Sequence, residues 1–434
     1  MKDRILLCLA HMSGKEMDYI KEAFDTNWVV PLGPNVSGFE NDLENFINKI
    51  NSPLGGDSEG LHKKVVALAS GTSAVHLALI ACDVKPGDEV LVQSFTFCAS
   101  SHPITYLGAV PVFVDSEPIT WNMDPELLEK AIKDRIEKTR KKPKAIIPVA
   151  LYGMPYQIDK IMEIANRYEI PVIEDAAEGF GSRFNGKVLG TFGKFGVLSF
   201  NGNKMITTSG GGALICPDAE TAQEILFFAT QARESYPYYQ HEKIGYNYRL
   251  SNICAGIGRG QMTIAEDHIA HHKHVQELYC KLLKDVDGIT MHTNPTSLES
   301  QNSDTRKYDS NFWLCTATLD PDLKIKGQEE VYAEVVKGAV GGAAGVTHAA
   351  TSAHTGLEPN PNVEALRVFL DKANVEARPL WKPMHAQPVY RNNPAYTNGV
   401  SEELFKTGIC LPAGPYVTDE HVTYIVDKIK ESLQ

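Results

Sequence analysis

Seven short, continuous apolar runs recur between Val65 and Cys216. They are Val65–Ala69, Glu89–Val92, Val110–Val114, Ala145–Ala150, Ile170–Ile173, Gly196–Phe200 and Gly212–Cys216. A strand that is apolar on both faces has to be covered on both faces, which is the situation of a parallel sheet flanked by helices. The stretches between the runs supply those helices. Ala74–Cys82, Asp124–Lys138 and Tyr156–Tyr168 carry helical spacing and begin near Ser, Asp or Pro. The pattern predicts an α/β fold with a mainly parallel sheet and crossover helices. Beyond Gln261 it changes to a long polar helix from about Met262 to Val286, alternating segments near Phe312–Thr318 and a helix near Val363–Ala373. These predict a smaller α+β domain, giving an expected division into residues 1–262 and 263–434. The small-residue stretch Gly338–Ala353 predicts a surface insertion near 325–362.

Sheets of this kind bind ligands beyond the C-terminal ends of their strands, and the reactive residues fall there. Lys204 lies in Ser199-Phe200-Asn201-Gly202-Asn203-Lys204, and Asp175 ends the run Ile170 to Asp175. A lysine amine can form a Schiff base with an aldehyde cofactor. A carboxylate at the far end of a pyridine ring keeps its nitrogen protonated, so that the ring accepts electrons from a carbanion. The pair points to pyridoxal phosphate. Ser70-Gly71-Thr72-Ser73 follows the first strand and opens a helix, where backbone N–H groups and the helix dipole favour an anion. Alone it is as readily an N-cap turn that binds nothing; beside Lys204 and Asp175 it becomes a phosphate cradle. Phe97, at another strand end, could stack on the ring, although an isolated aromatic there is more often core.

Composition removes other classes. A net charge of −12 opposes nucleic-acid binding, and the one basic run, Arg135–Lys144, suits a solvated helix end. Eight scattered cysteines without a C-x-x-C pair suit reduced thiols and a cytoplasmic setting. Ile5–Ala10 is too short for a signal peptide, and no run is long enough to span a bilayer. Gly181–Val188 has the G-x-x-x-x-G-K spacing but ends in Val where a hydroxyl would hold magnesium. His268, His271, His272 and His274 could place two ligands on one helix face, but they lack a second ligand cluster and suit a solvated polar helix. No metal site is expected.

Taken together, the ordered motifs resemble one family, the pyridoxal-phosphate-dependent nucleotide-sugar aminotransferases of the DegT/DnrJ/EryC1/StrS group. They run from Asn27-Trp28-Val29-Val30-Pro31-Leu32-Gly33-Pro34 with Phe39-Glu40, through SGTSAVHLAL, SFTF, Leu151-Tyr152-Gly153, EDAAEGFGS, GTFG and SFNGNKMITTSGGG. Gly245-Tyr246-Asn247-Tyr248-Arg249-Leu250-Ser251-Asn252 and Ala377-Arg378-Pro379-Leu380-Trp381-Lys382-Pro383-Met384-His385 complete the series.

The resemblance implies the aspartate aminotransferase fold (fold type I), with Lys204 as the cofactor-binding lysine and proton shuttle and Asp175 as the partner of the ring nitrogen. By the same carry-over Thr72, Ser73 and Ser199 hold the phosphate and Phe97 stacks on the ring. Glu178 stands near the ring oxygen, where many members have glutamine. Asn247 implies a homodimer with shared active sites, since the matching asparagine reaches the neighbouring subunit's phosphate. Arg249 and His385 are the implied substrate contacts. The reaction implied has L-glutamate leaving as 2-oxoglutarate and a nucleotide-linked keto sugar taking the amine. SFNGNK, ITTSGGG and LYGMPYQID look most like the enzymes acting at carbon 4 of UDP-4-keto-6-deoxy-N-acetyl sugars, the bacillosamine type. A GDP-perosamine-type or 3-keto sugar is the alternative. Related sugar dehydratases carry histidine where this chain has Lys204, and an intact Lys204 and Asp175 speak against a non-catalytic regulatory protein.

Overall fold

The computed structural model describes residues 3–48, 63–295, 307–330 and 356–434. Each of the seven apolar runs contributes a strand. Across the large sheet their order is Lys64–Leu68, Gly212–Cys216, Phe195–Ser199, Ile173–Asp175, Ala145–Ile147, Glu89–Gln93 and Val110–Val114, with Ala395–Tyr396 at the edge. Parallel bridges Ile146–Val172 and Val149–Asp175 join its two halves. Pairing is parallel from Phe195–Ser199 to the Ala395–Tyr396 edge, whereas Gly212–Cys216 runs antiparallel to both neighbours. Residues 200–211 link it to the preceding strand without forming a helix that could carry a parallel crossover. The run expected over Ile170–Ile173 is regular only over Ile173–Asp175, because Pro171 has no N–H for the ladder.

The crossover helices form at Gly71–Ala81, Pro125–Thr139 and Ile158–Tyr168. A separate helix, Asn252–Met262, precedes the long polar helix read from about Met262 to Val286, which forms over Ala265–Leu283. The solvated-face reading of its histidines needs correction. His268 and His272 are buried on one stripe with Ala265, Ile269, Val275 and Tyr279. Their Nδ1 atoms lie 3.1 Å from the Met205 carbonyl and 3.2 Å from the Phe312 carbonyl. Burial pushes the His272 pKa down to about 3, so it is a neutral imidazole built into the core. The Gly181–Val188 stretch folds as a hairpin, Arg183–Phe184 against Lys187–Val188, turned by Asn185 and Gly186 at φ 48° and 76°.

A second, antiparallel sheet comprises Ile289–Met291, Cys315–Leu319, Gly408–Leu411 and Arg378–Pro379. Its apolar face packs with helices Ala265–Leu283, Pro361–Lys372 and Asp419–Ser432 around Tyr279, Leu366 and Ile425. The chain crosses between the two units. Ile5 packs in this second core and bridges to Val375, while Met384 and Tyr390 pack against the large sheet. The low-complexity stretch Gly338–Ala353 lies outside the described residues. All eight cysteines are free thiols. Among the described residues no helix is long and apolar enough to cross a membrane.

Candidate active site

A cavity of about 890 Å³ opens at the strand ends of the large sheet. One wall is built from Ser70–Thr72, Thr96, Phe97, Ser100, Asp175, Glu178, Ser199 and Lys204; the facing wall from Trp313, Glu376, Arg378, Trp381 and Lys382. Strand alternation explains why the motif holds two adjacent acids. Glu174 faces away from the cavity and accepts hydrogen bonds from the N–H groups of Gly190, Phe192 and Gly193, at 3.1, 2.5 and 2.6 Å. It thereby ties down the GTFG turn. Asp175 faces the cavity. Its Oδ2 accepts from Ser100 Oγ at 2.6 Å and its Oδ1 from the Ala177 N–H at 3.1 Å. Burial raises the Asp175 pKa, opposed by those hydrogen bonds and by the Lys204 charge, so this end of the cavity favours a shared proton or a cation.

Lys204 Nζ lies 3.3 Å from Glu178 Oε1 and 4.1 Å from the centre of the Trp313 ring. Glu178 Oε2 accepts the Tyr152 N–H at 2.7 Å. Burial pushes the Glu178 pKa up to about 7, even against the Lys204 charge. Trp313 is fixed by its indole N–H, which donates to the Asn203 carbonyl at 2.6 Å. Asn311 donates to the Glu178 and Phe180 carbonyls at 2.8 and 2.9 Å. Sequence reasoning missed Trp313 and Asn311. No spacing signal links them to Lys204, more than 100 residues away; only tertiary packing brings them there.

At the other end, Ser70 caps the Gly71–Ala81 helix: its Oγ accepts the Ser73 N–H at 3.1 Å. The Ser73 hydroxyl donates back to the Ser70 carbonyl at 2.7 Å, so Ser73 shapes the turn and does not line the cavity. Thr72 and Ser199 do line it, beside the helix N-terminus. Glycine is needed where this turn crosses the sheet, since a Cβ on Gly212 would sit 2.3 Å from the Ser70 carbonyl carbon. The residues present fit pyridoxal phosphate. A buried carboxylate, a lysine amine and a hydroxyl-lined helix N-terminus share one cavity, matching the ring nitrogen, aldehyde and phosphate of that cofactor.

Phe97 also lines the cavity, 5.6 Å from the Trp381 ring. Three other expected residues do not. Asn247 is exposed and pairs through its backbone with Thr230. Arg249 forms a fork-to-fork ion pair with Glu40 and donates to the Ala67 carbonyl at 2.9 Å. His385 Nδ1 lies 2.6 Å from Ser94 Oγ and its Nε2 3.1 Å from Glu402 Oε1. Within this chain neither Arg249 nor His385 lines the cavity; both are engaged in joining segments of the fold. The ARPLWKPMH motif instead presents Arg378, Trp381 and Lys382 to the cavity. The motif pointed to the right place, but nothing in it distinguishes the packing histidine from the cavity-lining residues.

The family model for the DegT/DnrJ/EryC1/StrS aminotransferase family matches residues 11–341 and 342–430. The chain is 40% identical to EpsN of Bacillus subtilis, provisionally named a pyridoxal phosphate-dependent aminotransferase, over 98% of this chain and 95% of that protein. It is 32% identical to the GDP-perosamine synthase of Escherichia coli O157:H7, over 97% of this chain and 96% of that one. The crystal structure of a DegT DnrJ EryC1 StrS aminotransferase from Brucella abortus superposes with a TM-score of 0.77 at 26% identity, covering 96% of this chain and 95% of that one. The chain belongs to the DegT/DnrJ/EryC1/StrS aminotransferase family, as a pyridoxal-phosphate-dependent sugar aminotransferase of fold type I.

Proposed function

We propose that the protein moves an amino group from L-glutamate to carbon 4 of a UDP-4-keto-6-deoxy-N-acetylhexose, for the synthesis of a surface polysaccharide or glycan. One observation carries the chemistry: the Lys204 amine is held at 3.3 Å from a buried carboxylate, in the same cavity as Asp175. The sugar assignment is supported by the sequence, through SFNGNK, ITTSGGG and LYGMPYQID.

Bound in the cavity, the cofactor supplies an aldehyde that exchanges one amine for another and a ring that accepts electrons from the carbon being deprotonated. The chain's own residues do the rest. Asp175, positioned by Ser100 and Ala177, would hold the ring nitrogen protonated. Thr72, Ser199 and the Gly71–Ala81 N-terminus would hold the phosphate, and Phe97 would supply an aromatic face for the ring. The Lys204 amine would be the base that takes the proton from the donor's alpha carbon and, as the ammonium, the acid that returns a proton. Glu178 keeps that amine in place between transfers, and Trp313 covers it from solvent. In the second half-reaction the same lysine runs the proton shift in reverse on the keto sugar.

Two copies acting together complete the reading. Asn247 is exposed, close to a segment with Tyr236, Tyr238, Tyr239 and Ile244 also exposed. A second copy covering that surface would bring Asn247 to the phosphate of its neighbour. The free thiols support a cytoplasmic location. The test is a product assay by mass spectrometry and NMR, with glutamate as donor and a panel of UDP- and GDP-linked 4-keto and 3-keto sugars. Amination of the UDP-4-keto sugar well above the others is the expected result. Preference for a GDP-linked sugar would overturn the sugar assignment and favour the perosamine-type alternative, with which the E. coli similarity over nearly the whole chain agrees.

A further inference from the structure

Both substrates of a sugar aminotransferase carry oxyanions. The donor brings carboxylates and the nucleotide sugar a diphosphate, so a cavity serving both needs a fixed cation besides its reactive lysine. Among the described residues three cationic side chains line the cavity, Lys204, Arg378 and Lys382. Lys204 is committed to the chemistry beside Glu178. Lys382 Nζ donates to the Leu357 carbonyl at 2.9 Å. Arg378 differs from both. It sits on the short strand Arg378–Pro379, held in register against Ile409 and Cys410. Its Nε and Nη2 donate to a single oxygen, Glu376 Oε1, at 3.2 and 3.0 Å. Glu376 is itself anchored, its Oε2 accepting the Leu7 N–H at 3.1 Å. One edge of the guanidinium is thus fixed, while Nη1 has no partner among the described residues and the side chain is 41% exposed.

We propose that Arg378 is the substrate-binding residue that grips the paired oxygens of an incoming carboxylate or phosphate, replacing Arg249 and His385 in that role. The proposal rests on the reading of the site as that of a sugar aminotransferase. A guanidinium is suited to the task because its planar fork matches a carboxylate or phosphate with two parallel hydrogen bonds, which a lysine ammonium cannot do. Glu376 positions the fork and also competes for it. Its carboxylate holds the donor groups on one side and partly neutralises the charge that draws the substrate in. Arg378 acts on binding and on donor placement, and takes no proton in the reaction.

The test uses the cofactor-loaded enzyme and two unreactive probes, glutarate for the donor and UDP for the nucleotide, each titrated by calorimetry. Arg378→Ala is expected to weaken at least one probe by about 10- to 100-fold. Arg378→Lys, which keeps the charge and loses the fork, should fall between. Glu376→Gln keeps its bond to Leu7 but removes the competing charge, and should tighten the affected probe severalfold; a merely structural role for the pair gives no such gain. Weakening of glutarate alone assigns the donor carboxylate to Arg378, and weakening of UDP alone assigns the phosphate. Unchanged binding of both probes in Arg378→Ala and Arg378→Lys, or no binding of either to the wild type, overturns the proposal. Its failure is separable from that of the proposed function. If glutamate leaves the wild-type cofactor spectrum unchanged while Arg378 still governs probe binding, the activity falls and the anion site stands.

Discussion

The two walls of the cavity differ in how their polar groups are satisfied. On the sheet wall, Asp175, Glu178 and Ser100 are buried, and each is held by neighbouring backbone or side-chain groups. The facing wall places Arg378 on a two-residue edge strand with much of its side chain open. Rigid, desolvated groups suit bond-making, where position and charge must be set before the substrate arrives. Open charged groups suit recognition of anions that come and go. The contrast also separates two arginines. Arg249 is spent on Glu40 inside the fold, whereas Arg378 keeps part of its fork free.

Substitutions on the sheet wall should therefore damage the chemical step, and those on the facing wall should damage binding. The largest effect is expected from Lys204→Ala, a fall in turnover of more than about 10⁴-fold with the fold intact, checked by product assay and circular dichroism. Asp175→Asn should cost about 10²–10³-fold in kcat with little change in the apparent affinity for glutamate, measured by steady-state kinetics. Arg249→Ala leaves the Glu40 carboxylate unpaired and should cost about 3–5 kcal/mol of stability in denaturant unfolding, with probe affinities unchanged. A loss of glutarate or UDP affinity in that variant would blur the division between the two arginines.

The smallest effect sharpens the sheet wall itself. Burial raises the Glu178 pKa to about 7 from an ordinary 4.5, so the fold favours the protonated carboxyl. That contribution is fully present below the ordinary value and is lost as pH climbs through about 7. Glu178→Gln cannot lose it. In cofactor-free protein the Tm of Glu178→Gln should therefore rise relative to wild type between pH 4.5 and 7 and hold its lead above that range. A constant Tm difference across the range would show that Glu178 ionises freely.

The sheet wall was legible in the sequence because its residues sit at the ends of continuous apolar runs, where chain direction alone brings them together. Asp175, Thr72, Ser199 and Lys204 all follow that rule. Ser73 showed its limit, since a helix cap and a phosphate cradle share one sequence and only the hydroxyl's direction separates them. The facing wall was less legible. Trp313 and Asn311 reach the site by docking of the second sheet, and His385 and Arg378 lie seven positions apart in one motif with opposite fates. The buried faces of His268 and His272 escaped notice because a polar side chain on an apolar stripe reads as exposed until its carbonyl partners are known.

The central claim is that Lys204 carries the cofactor and exchanges it with an amino donor. The most direct measurement is the visible absorption spectrum of the purified, cofactor-loaded protein before and after L-glutamate, with Lys204→Ala beside it. The account predicts a band in the wild type that glutamate bleaches and that 2-oxoglutarate restores, and no such band in the variant. A band that no amino donor changes, or one that Lys204→Ala retains and glutamate still bleaches, would contradict it.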